Sequence, residues 1–192
     1  MKKLIFALIA GSAVMSAAQA QSTITPRGYV GAGLATMDNE HRVPGATVSG
    51  DDHAYKTSGK VFGGVEVNQT FGVEAGYTDF RTLRTNYTQN GINGQAETDG
   101  YGAYLAGKAT MPINEKTGVY GKLGVAHTNN EMTANTPGLS RKISDNGVYA
   151  GIGVQHAVSE RVSVIAEYER YGKKKDFGAQ PDVVTIGAKY AF

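Results

Sequence analysis

From Arg27 onward the chain is written in short runs in which apolar residues recur at every second position. That period predicts strands with one face in an apolar medium. In one run Val61, Val65 and Val67 share a face, with Lys60, Phe62, Gly64 and Glu66 behind them; in the next, Val73, Ala75 and Tyr77 oppose Gly72, Glu74 and Gly76. Further on, Ala103, Leu105 and Ala109 oppose Gly102, Tyr104 and Lys108, and Val119, Leu123 and Val125 oppose Tyr120, Lys122 and Gly124. Val148, Ala150, Ile152 and Val154 then oppose Tyr149, Gly151, Gly153 and Gln155, and Val162, Val164, Ala166 and Tyr168 oppose Ser163, Ile165, Glu167 and Glu169. Ile165 is the imperfect member. The last run puts Val184, Ile186, Ala188, Tyr190 and Phe192 on one face.

Eight strands are predicted, near Arg27–Thr36, Thr57–Val67, Phe71–Thr82, Thr98–Thr110, Gly118–Thr128, Ile143–His156, Arg161–Tyr171 and Asp182–Phe192. Valine, tyrosine, threonine and isoleucine recur in them, as strand propensity asks. Short connections at Asn68–Thr70, Met111–Thr117 and Ala157–Glu160 alternate with long ones at Met37–Lys56, Leu83–Glu97, Asn129–Lys142 and Lys173–Pro181. Strict short–long alternation is the mark of an all-β, eight-stranded antiparallel up-and-down transmembrane β-barrel, with tight periplasmic turns and longer external loops. A soluble sandwich would wet its second face with Ser, Thr, Lys and Glu. Here that face is crowded with glycine and isolated ionic groups, which suits a narrow interior.

Composition sharpens the picture. Residues 1–20 carry Lys2 and Lys3, an apolar stretch from Leu4 to about Val14, and the small-residue site Ala18-Gln19-Ala20, the pattern of a cleaved secretory signal peptide. Residues 21–192 are then the barrel. The chain has 19 basic and 17 acidic residues, and without Lys2 and Lys3 the two are equal, so nothing points to nucleic acid. Zero cysteines remove disulfides and thiolate metal sites. No later segment approaches the roughly 18 apolar residues of a spanning helix, so a membrane form must cross as strands.

The stretches "VFGGVEVNQTFGVEAGYTDF", "GVYGKLGVAHT", "YAGIGVQHAVSERVSVIAEYERY" and "VTIGAKYAF" resemble the transmembrane barrel of the outer membrane protein A family, over nearly all of Arg27–Phe192. The resemblance implies a Gram-negative outer membrane location. It also implies insertion by the barrel-assembly machinery, which reads a terminal aromatic strand, here Tyr190 and Phe192. Glu74, Lys108, Lys122 and Glu167 match family positions of internal ionic pairs. The family's first-strand lysine is replaced by Gly33, and its arginine near the start of the final strand is missing, with Gln180 or Gly178 there. Glu74 is therefore expected to pair with Lys60 or Lys189. Family members with a peptidoglycan-binding domain continue beyond the barrel, so a stand-alone barrel without cell-wall tethering is the expectation.

Lys60, Glu66, Glu74, Lys108, Lys122, Glu167, Glu169 and Lys189 lie on the glycine-rich face, four acidic and four basic. Unpaired charges in a narrow lumen cost several kcal/mol each, so an ionic lattice filling it is expected. Catalytic candidates are weak: Glu167 and Glu169 are two apart on one face, as in a two-carboxylate hydrolase, and "HAVSE" at His156–Glu160 has the residue types of a Ser/His/Glu lipase but falls in a tight turn. His41, Asp51, Asp52 and His53 read as a solvated loop, and no metal or cofactor is expected. Lys173, Lys174 and Lys175 would lie near lipopolysaccharide phosphates. The expected function is a structural barrel that stabilises the membrane and offers its loops to extracellular or host ligands, as adhesin or host-defence factor. A small-solute channel and a lipid-modifying enzyme are the alternatives.

Overall fold

The computed structural model describes residues 26–37, 47–48, 56–89, 92–134, 141–172 and 182–192. Nine strands follow in chain order: β1 (Arg27–Met37), β2 (Thr47–Val48), β3 (Lys56–Glu66), β4 (Phe71–Gln89), β5 (Ile92–Pro112), β6 (Thr117–Ala134), β7 (Arg141–Ala157), β8 (Val162–Tyr171) and β9 (Asp182–Ala191). Eight of them pair antiparallel, each with its neighbour in sequence, and β1 closes on β9 from Tyr29↔Ala191 to Met37↔Val183. The result is a closed eight-stranded barrel without an edge along that seam. β2 is a two-residue addition paired to the far end of β4, at Thr47↔Thr88 and Val48↔Tyr87.

Two expected loops are corrected. Leu83–Glu97 is not a loop: β4 and β5 stay paired to Gln89↔Ile92, beyond a register shift between Phe80 and Leu83. Asn129–Lys142 is likewise shortened, because β6 and β7 stay paired out to Met132↔Arg141. Both segments are rich in polar residues and lack the period of two that marks a lipid-facing strand. The proposed signal peptide lies outside the described residues.

The three short turns are built to one recipe. Asn68 Oδ1 accepts from the Thr70 and Phe71 amides (2.8 and 2.6 Å), and Asn114 Oδ1 from those of Lys116 and Thr117 (2.9 and 2.8 Å). Ser159 Oγ does the same for Arg161 and Val162 (3.4 and 3.1 Å). In each turn the amides of that residue and of the one before it converge on a single carbonyl, Phe71, Thr117 or Val162. Asn and Ser side chains that mimic a backbone turn explain why three connections of unrelated sequence close alike.

The inner wall is fitted ring against glycine. Tyr29 lies directly opposite Gly64, Phe62 opposite Gly31 and Gly76, Tyr104 opposite Gly76, Tyr120 opposite Gly153, and Tyr149 opposite Gly124. A Cβ at Gly31, Gly64, Gly76 or Gly153 would run into the ring it faces. The glycines thus make room for aromatic side chains that lie flat across the neighbouring strand. Ile165 belongs to this interior, buried with Tyr29, Phe62 and Ala191. The outer wall is apolar: Leu34, Leu105, Leu123, Val125, Ile152 and Ile186 are all exposed on it.

Candidate functional site

The eight ionic residues of the glycine-rich face all project inward, and Lys60, Glu74, Lys108, Lys122, Glu167, Glu169 and Lys189 are buried. Their direct neighbours across the sheet are mostly small. Lys60 faces Gly33, Lys122 faces Gly151, Glu167 faces Gly153 and Lys189 faces Gly31; only Lys108 and Lys122 oppose one another as like charges. The ions therefore pair across the lumen. None of the lumen ion pairs among the described residues joins adjacent strands.

At the centre Lys122 Nζ stands 2.5 Å from Glu74 Oε1 and 2.5 Å from Glu167 Oε2. Lys60 Nζ stands 2.9 Å from Glu167 Oε1 and 2.6 Å from Glu169 Oε1. Toward the short-turn end Lys189 Nζ lies 2.7 Å from Glu66 Oε1, with Lys108 Nζ 3.8 Å from the same oxygen. Glu74 does not pair with Lys60 or Lys189 as expected from sequence. Lys122 takes it because β6 lies two strands from β4, within reach across the narrow lumen, while Lys60 is committed to β8 and Lys189 to Glu66.

Sequence reasoning missed the tyrosines' part. Tyr29 donates to Glu74 Oε2 (2.8 Å) and Tyr104 to Glu74 Oε1 (2.5 Å). Tyr120 donates to Glu167 Oε2 (2.7 Å), Tyr149 to Glu169 Oε1 (2.5 Å), and Thr185 to Glu169 Oε2 (2.8 Å). Gln155 Oε1 accepts from both Lys108 and Lys189 at 3.2 Å. Each buried carboxylate is thus satisfied by cations and neutral donors together, the condition for tolerating ions away from water. Toward the end away from the short turns the lattice is roofed by rings: Tyr104 stacks on Tyr149 at 4.1 Å, and Tyr171 meets both edge-on. The signal for these tyrosines was present, since they alternate with glycine on the inner face.

Other candidates separate. Glu167 and Glu169 are both held by Lys60 and by hydroxyls, so they are lattice members rather than a hydrolytic pair facing a substrate. In "HAVSE", Ser159 serves its turn and His156 Nδ1 lies 2.9 Å from Thr117 Oγ1 on the neighbouring strand. Tyr190 and Phe192 face outward, 40% and 61% exposed, with rings edge to face at 5.7 Å. Arg27, which sequence reasoning passed over, holds the seam: Nε donates to the Phe192 carbonyl (3.2 Å) and Nη2 to that of Glu160 (2.7 Å). His41, Asp51, Asp52, His53 and Lys173–Lys175 lie outside the described residues.

Comparison with known proteins agrees with this architecture. Outer membrane protein A of Shigella flexneri is 31% identical over 153 residues, covering 75% of this chain and 42% of its own. Outer membrane protein P5 of Haemophilus influenzae is 31% identical over 190 residues, covering 90% of this chain. The chain spans 53% of that relative's length, so it matches about half, or less, of each. Among solved structures, Ail of Yersinia pestis in complex with the heparin analogue sucrose octasulfate superposes with a TM-score of 0.57 at 19% identity, covering 87% of this chain and 99% of that one. The family described as the outer membrane protein beta-barrel domain matches residues 4–192, and the chain belongs to that family of outer membrane barrels.

Proposed function

We propose that this barrel is a closed, non-enzymatic wall element that stabilises the outer membrane and presents its external hairpins and loops to partners. The observation that carries the reading is the lattice of four carboxylates and four ammoniums braced across the lumen between non-neighbouring strands. An ion crossing would have to part pairs whose members lie 2.5 to 2.9 Å apart at the centre. Planar-bilayer recording tests this: the expected trace is without a steady open level. A stable conductance altered by Lys122→Gln would replace the closed wall with a channel.

Removal of residues 1–20 on export belongs to the same proposal, and N-terminal sequencing of the membrane-extracted protein is expected to begin at Gln21. Tyr190 on β9 and Phe192 just beyond it, both outward-facing, would be the aromatic positions read by the barrel-assembly machinery. Replacing both with serine is expected to reduce the membrane-inserted fraction. Lys173, Lys174 and Lys175 would neutralise lipopolysaccharide phosphates beside the fourth external connection. Unchanged lipopolysaccharide retention in the triple glutamine variant would remove that role. By likeness to Ail, whose structure was solved with a heparin analogue, extracellular polyanions on a host surface are the partner class to try first.

A further inference from the structure

The charges of the lumen are unequally divided. Around its centre Glu74, Glu167 and Glu169 share Lys60 and Lys122, three carboxylates to two ammoniums. Toward the short turns Glu66 answers both Lys108 and Lys189, one carboxylate to two ammoniums. Among the described residues no ion pair joins the two groups. The surplus cation is Lys108. Lys189 holds Glu66 Oε1 at 2.7 Å, whereas Lys108 Nζ lies 3.8 Å from that oxygen, too far for a hydrogen bond. The acceptor Lys108 does have is a neutral one, Gln155 Oε1 at 3.2 Å, and Lys189 shares it at the same distance. The rings of Tyr120 and Tyr29 stand 4.4 and 5.2 Å from Lys108 Nζ, but their hydroxyls are turned to Glu167 and Glu74. Its neighbours across the sheet are Gly72 and a like charge, Lys122. An ammonium carries three donors, and a buried one is costly unless an opposite charge meets it.

We infer that Lys108, Lys189 and Gln155 form a binding site for one small monovalent anion, of halide size, entered from the short-turn end of the lumen. The surplus of this group is a single positive charge, which one monovalent anion cancels. Access is from one side. The Glu66 side chain is 25% exposed and Gln155 is half-buried, while the central pairs beyond them are sealed from water. An eight-stranded lumen is filled by its own side chains, so the ligand must be small. Gln155 is the adjustable part of the wall. With Oε1 toward the lysines it takes the place of an anion, and turned about its last bond it offers its NH2 to one. Glu66 competes for the same two ammoniums and so sets the affinity. The site does not depend on whether the lumen conducts.

The test follows the quadrupolar line width of dissolved chloride in the presence of the full barrel in non-ionic maltoside micelles. A saturable broadening is expected, removed by bromide and retained when sulfate is added at matched ionic strength. Lys108→Met should weaken chloride binding about tenfold or more, and Glu66→Gln should tighten it by a similar factor, the scale of one unit charge a few ångströms away. Lys116→Gln, on an exposed short turn, should leave it unchanged. No saturable broadening in the wild type, equal broadening in Lys108→Met, or displacement by sulfate as complete as by bromide overturns the site. A heat-modifiable band on unboiled gels shows that each variant has folded. Should Lys108→Met not fold, Glu66→Gln decides alone: tighter chloride binding supports the site, and unchanged or weaker binding overturns it.

Discussion

Lys122 and Leu123 are neighbours in β6, yet Lys122 is 4% exposed between two glutamates and Leu123 is 67% exposed on the outer wall. A wall one residue thick separates a dense ionic lattice from the hydrocarbon. Inside, a side chain is judged by its partners, because every lone pair left over is stranded. Outside, it is judged only by its transfer to lipid, since acyl chains fill whatever space a truncated residue leaves. The same strand therefore tolerates change on one face and resists it on the other.

Breaking the inner face hardest is Glu167→Leu, which takes from Lys60 and from Lys122 one of the two carboxylates each holds. A loss of about 3–5 kcal/mol is expected, read as a lower urea midpoint in lipid vesicles. On the outer face Leu123→Arg should cost about 2–4 kcal/mol near the membrane midplane, whereas Leu123→Ile in the same assay should leave the midpoint unmoved. Equal costs for those two variants would mean that Leu123 does not touch lipid. Gly153→Val pushes a side chain into Tyr120 and should cost about 1–3 kcal/mol. Part of that loss should return in the Gly153→Val/Tyr120→Ala double variant, a coupling that a double-mutant cycle measures. Smallest is Asn114→Ala at a short turn, about 1 kcal/mol through two lost amide bonds.

The barrel itself was readable from sequence because lipid imposes a strict period of two, and Leu105, Val125 and Ile152 keep it. The pairing of Glu74 was not readable. Partners across a lumen are set by barrel closure and strand tilt, and neither leaves a mark at any sequence spacing. Tyr104 was placed on the right face and Tyr29 was given no face; their hydroxyls could be assigned to Glu74 only once the rings were seen lying over Gly64 and Gly76. The β4–β5 extension was taken for a loop because above the membrane neither face need be apolar. The Asn90–Gly91 dipeptide between Gln89 and Ile92 is the signal that could have found it, being the preferred two-residue hairpin connection.

That extension sets a distance. Beyond Asp79, β4 runs on for ten residues, Phe80 to Gln89. At about 3.3 Å each they carry the chain roughly 33 Å along its own direction. β4 and β5 are a mast: the end of their ladder at Gln89↔Ile92 stands that far along the strands from Asp79, and whatever touches it need not touch the rest of the barrel.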